Sequence, residues 1–82
     1  MLRTIKIRFI EKGKSPYYSI QKKTWYGLWR YIGWTMDMGY GSVFNIYTDS
    51  DKNKLLDDVI KNHYGLNKEF VKVVEYPSIK IY

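Results

Sequence analysis

The 82 residues carry fourteen Lys and Arg against eight Asp and Glu, a formal net charge of +6, and no cysteine; a disulfide framework, a thiolate metal site and a cysteine nucleophile are thereby excluded. A chain this short makes one domain, residues 1–82, whose fifteen aromatic side chains must supply much of the buried area that a small fold lacks. No apolar run reaches the length of a membrane-spanning helix, and Arg3, Lys6 and Arg8 interrupt the apolar positions at the start, which predicts a soluble, cytoplasmic protein without a secretory signal.

Ile5, Ile7 and Phe9 alternate with Thr4, Lys6 and Arg8, the period of two of a half-buried strand. Lys12-Gly13-Lys14 then supplies a turn. From Tyr17 to Thr24, Tyr18 and Ile20 fall on one side and Ser19, Gln21 and Lys23 on the other, so the first two strands are predicted to form an antiparallel hairpin. After Gly27, Leu28 to Trp34 reads as a third strand, with Leu28, Arg30, Ile32 and Trp34 pointing one way and Trp29 and Tyr31 the other. Thr35 to Ser42, which contains Gly39 and Gly41, reads as a loop, and Val43 to Thr48 as a fourth strand.

The strongest helical signal runs from Ser50 to Tyr64, where Leu55, Leu56, Val59, Ile60, His63 and Tyr64 make one apolar stripe. Asp49, Ser50 and Asp51 suit its N-terminus, and Gly65-Leu66 suits a left-handed stop. Phe70 to Tyr76 reads as the last strong strand, broken at Pro77 and resumed as a short edge from Ile79 to Tyr82. The predicted fold is α+β: a small, mostly antiparallel sheet of four to five strands in the order β-β-β-β-α-β, with one helix on one face. A helix of about fifteen residues, roughly 22 Å long and 10 Å wide, leaves the opposite face open.

Charge and aromatic rings share the N-terminal half. Residues 1–34 hold eight basic side chains and Glu11 alone, whereas 35–82 hold six lysines and seven carboxylates. Eight rings fall between Tyr17 and Tyr40, and that stretch has no carboxylate before Asp37. Cations steer anions and flat rings offer stacking area, so the candidate binding residues are Tyr17, Lys22, Lys23, Trp25, Trp29, Arg30, Tyr31, Trp34 and Tyr40. On the open face, Tyr17, Trp29 and Tyr31 would form an exposed aromatic platform. In the alternative arrangement the Trp25 to Trp34 segment curls back and closes that face.

Catalytic and metal motifs are absent or incomplete. Asp49-x-Asp51-x-Asn53 imitates the start of a calcium loop, but Lys54 stands at the glycine position and Ile60 at the final glutamate, which leaves a helix cap. The single histidine, His63, lies on the apolar side of the helix with no nucleophile near it in sequence, and packing or interaction with the helix dipole is its expected role. No cofactor, metal or enzymatic activity is expected.

Two resemblances bear on function. Gly39-Tyr40-Gly41-Ser42-Val43-Phe44, followed by the predicted helix and strand, resembles the second half of an RNA-recognition motif, with Tyr40 as a stacking ring and departures at Met38 and Ser42. Over nearly the whole length, Tyr17-Tyr18-Ser19-Ile20-Gln21-Lys22-Lys23, the aromatic stretch through Trp34 and the helix start at Thr48-Asp49-Ser50 resemble small uncharacterised proteins encoded by tailed phages and prophages of gut bacteria. That resemblance implies a viral or mobile-element accessory protein acting in the host cytoplasm or the virion, with no assigned activity. The expected function is binding to a protein partner through the basic, aromatic half, with Trp25, Trp29 and Trp34 as anchors. The alternative is a single-stranded nucleic-acid-binding module.

Overall fold

The computed structural model describes residues 2–82. It is an α+β fold in which a mixed sheet carries one helix on one face. Strand β1 (Arg3–Lys12) is central, with β2 (Tyr18–Lys23) antiparallel on one side and β7 (Val71–Ile81) parallel on the other. The outer edge of β2 is shared by two short strands: β3 (Trp29–Tyr31) pairs with its second half and β6 (Thr48–Asp49) with its first.

The alternation of β1 sets the two faces. Ile5, Ile7 and Phe9 join Ile20 and Ile32 beneath Leu55, Val59 and Ile60, all at most 4% exposed. The predicted helical stripe is therefore the docking face. Helix α1 (Lys52–Asp58) starts at Asp51, whose carboxylate accepts from the Asn53 N–H at 2.9 Å, while Asp49 accepts from the Asp51 N–H at 3.0 Å. These carboxylates satisfy orphan N–H groups at the helix start, as the cap reading required. A π-helical turn, Val59–His63, continues the helix, and Leu66 N–H reaches back to the Ile60 carbonyl across Gly65, whose φ of 66° closes the end.

The middle of the chain departs from expectation. Leu28 to Trp34 is not one strand, and Val43 to Thr48 is not another. Each splits at Ile32–Gly33 and at Tyr47, giving one end to the main sheet and the other to a separate two-stranded hairpin of β4 (Gly33–Asp37) and β5 (Ser42–Ile46). Much of the expected loop from Thr35 to Ser42 is thus strand, closed by a turn at Met38–Gly41. Gly33 permits the split: a Cβ there would collide with the backbone carbonyl of Asn45. Pro77 likewise does not end the last strand. It lies where the β1–β7 register slips between Arg8↔Tyr76 and Ile10↔Ile79, on an edge strand, where a missing N–H is tolerated.

Candidate binding surfaces

On the face opposite the helix, Trp29 and Tyr31 stand in register with Lys23 and Gln21. They do not form a free platform. Trp29 meets Tyr76 of β7 edge-to-face at 5.1 Å, Arg8 lies 4.4 Å from the Trp29 ring centroid and Lys12 5.0 Å from that of Tyr31. These half-buried rings cover Gln21 and leave it 8% exposed, with Ile10 at 1% further along the same face. The expected open face is therefore partly closed, by rings from both edge strands rather than by the whole Trp25 to Trp34 segment. Tyr17 stands apart from this layer, exposed before the start of β2.

A cleft of about 790 Å³ lies at the end of the sheet where β1 starts and β2 finishes. The π-helical turn ends beside it, so the sheet runs on past its cover. Cross-strand pairing places Lys22 on the face of Ile7 and Arg30 beside Lys22. Arg3, Lys6, Lys22, Lys23 and Arg30 line the cleft, together with Tyr31, Phe44, His63 and Tyr64, and no carboxylate does. Among the described residues the one ion pair is Lys68–Asp57 at 3.0 Å, on a different part of the surface.

The electrostatics follow from this lining. His63 lies between the rings of Tyr47 and Tyr64, 6.3 and 4.8 Å away. Burial pushes its imidazole below the ordinary value, the charges of Lys22 and Arg3 push the same way, and a backbone hydrogen bond at Gly33 opposes them. Burial raises the Tyr64 phenol, against the pull of Arg3, whose guanidinium lies 5.0 Å from its ring. His63 thus packs between rings, as the apolar stripe implied. At the lip, Thr24 Oγ1 donates to the Leu28 carbonyl at 2.8 Å and accepts from its N–H at 3.0 Å, fixing a turn that presents Trp25 and Tyr26. Trp25 is 95% exposed, in edge contact with Tyr26.

The third surface is the hairpin. Pairing of Trp34 with Asn45 and Met36 with Val43 puts Trp34, Met36 and Val43 on one side, while Phe44 lies on the other and lines the cleft. Met38 and Tyr40 occupy the tip. All six apolar or aromatic side chains are exposed, Tyr40 at 86%. Gly39-Tyr40-Gly41 therefore lies at the end of an arm rather than in a central strand, which removes the structural basis of the resemblance to an RNA-recognition motif.

The nine residues singled out in sequence divide accordingly. Lys22, Lys23, Trp25, Arg30 and Tyr31 meet at the cleft, Trp29 is built into the closed face, Trp34 and Tyr40 belong to the hairpin, and Tyr17 stands alone. Arg3, Lys6, Phe44, His63 and Tyr64 complete the cleft from distant parts of the chain. The helical stripe ran to Tyr64 and Arg3 stood at the start of the first strand; nothing in sequence joined the two. No protein-family model, curated protein or solved structure matches this chain. Among the described residues no helix is long and apolar enough to cross a membrane.

Proposed function

We propose that this is a non-enzymatic accessory protein of a phage or mobile element that acts by binding a protein partner, with the β4–β5 hairpin as the principal contact. The observation that supports this reading is the exposure of Trp34, Met36 and Val43 on one side of two strands that, among the described residues, pair only with each other, with Met38 and Tyr40 exposed at their tip. Isolated two-stranded hairpins are marginal in water, and contiguous exposed apolar surface on a small monomer marks an interaction site. A partner that covered this arm would bury its apolar side and could pair with either free strand edge. The viral origin rests on the sequence resemblance. The non-enzymatic assignment rests on the single histidine, which has no nucleophile near it in sequence.

The test is affinity capture from the native host with wild type and with Met36→Ser/Val43→Ser, both shown folded by circular dichroism. A specific protein retained by wild type and lost by the variant is expected, and direct titration of that purified protein should repeat the loss. Equal capture by both would remove the hairpin from the interface. Concentration-dependent self-association abolished by the same variant would assign the arm to a second copy of this chain instead.

A further inference from the structure

We infer that the cleft is a binding site for single-stranded nucleic acid, with phosphates held by Arg3, Lys22 and Arg30 and a base stacked on Trp25. This site shares Gly33 and Phe44 with the base and far side of the hairpin but not the Trp34, Met36 and Val43 side. Its first support is an electrostatic deficit. Lys22 and Arg30 are direct cross-strand partners, an arrangement of like charges that destabilises a sheet. Arg3 adds a third cation to the same cleft, Lys6 and Lys23 stand in its lining, and no lining carboxylate compensates any of them. An anion seated there converts this mutual repulsion into attraction, and arginine forks match phosphate oxygens.

The second support is the lip. Trp25 is not a frayed side chain: the double hydrogen bond between Thr24 Oγ1 and Leu28, with Gly27 N–H on the Thr24 carbonyl at 3.0 Å and Gly27 at φ 86°, fixes the turn that carries it. A nearly fully exposed indole on a built turn, touched by the neighbouring Tyr26 ring in an edge contact, offers a flat surface to solvent. Nucleic-acid bases have faces that stack on such rings, whereas the carboxylates of an acidic peptide do not. Unpaired bases can reach a ring at the mouth of a concave site, while stacked duplex bases cannot. The cleft is open to solvent, with a volume of about 790 Å³, within the usual range of small-ligand clefts.

The experiment titrates the full chain with fluorescein-labelled dT12 across a series of salt concentrations. Three phosphate contacts predict a log–log salt slope of about −2, since each single-strand phosphate contributes roughly −0.7. Lys22→Glu/Arg30→Glu should weaken binding at least tenfold more than Lys54→Glu/Lys61→Glu, which changes net charge equally on exposed positions of the helix. The milder Arg30→Gln should flatten the slope by about 0.7 even where the double reversal impairs folding. Trp25→Ala should weaken binding about fivefold or more, and Met36→Ser/Val43→Ser should leave it unchanged. Equal weakening by the two charge-reversal pairs, or full binding by Trp25→Ala, would overturn the assignment. So would a glutamate 12-mer that binds as tightly as dT12, which would assign the cleft to an acidic protein segment, or absence of dT12 binding at about 100 mM salt.

Discussion

The guanidinium of Arg8 stacks 4.4 Å from the centroid of the Trp29 ring while its Nε donates to Gln21 Oε1 at 2.7 Å. One side chain thus ties β1, β2 and β3 together across the face opposite the helix. Trp29→Ala should therefore act first on stability, by about 2–3 kcal/mol for a half-buried ring. Arg8→Lys keeps the charge but loses the planar fork, and should cost about 1 kcal/mol. Urea unfolding measures both. An unchanged midpoint for Trp29→Ala would return that ring to the list of free contacts.

Ile60 is 1% exposed at the start of the π-helical turn and packs in the same cluster as Ile5, Ile7 and Ile20. Ile60→Ala should cost about 2–5 kcal/mol, read as a lower denaturation midpoint with an unchanged m-value. Leu56→Ala, at a half-buried position beside that cluster, should cost less.

Gly33 is where the hairpin leaves the body. A methyl group there meets the Asn45 carbonyl and lies 2.8 Å from the Phe44 ring, so Gly33→Ala must force the base of the arm apart. The expected result is a loss of about 1–3 kcal/mol with faster amide exchange concentrated in residues 33–46. Exchange that rises evenly through the sheet would contradict this local origin.

His63 sets a pH dependence. Desolvation, Lys22 and Arg3 hold its folded-state value below 6.5, so the unfolded chain binds a proton more readily than the native one. Above 6.5 both states are neutral there and the residue contributes nothing. As pH falls through that value, proton uptake by the unfolded state lowers stability. Thermal midpoints should decline between about pH 7 and 5.5 more steeply for wild type than for His63→Gln. Parallel curves would place the imidazole in water.

Much of the body was legible because its signals are local. Alternation in β1 and β2 fixed their faces, and the Leu55–Tyr64 stripe with Asp51 before it and Gly65 after it fixed the helix. The arm was not legible, because crossing from one sheet to another at Ile32–Gly33 leaves the period of two undisturbed on both sides. Only a glycine in an otherwise bulky run marked the place. Proline at 77 misled for a different reason: its cost depends on whether the strand is at an edge, which pairing decides and local sequence does not. At the candidate sites, a window from Tyr17 to Tyr40 could collect Lys22, Lys23, Trp25, Arg30 and Tyr31. Arg3 and Tyr64 reach the same cleft only through the packing of the helix end against β1.

The point where the arm departs is sealed from beneath. Tyr47 N–H donates to the Ile32 carbonyl at 3.0 Å, and Ile32 N–H to the Ile20 carbonyl at 3.0 Å. The two ends of the excursion are therefore already neighbours within the body, and a two-residue turn could join them. Core residues Ile20, Ile32, Leu55 and Val59 all lie outside the excursion. The body is thus a closed unit that does not draw on the arm for its core, so replacing residues 33–46 by a short turn should leave the sheet and helix folded.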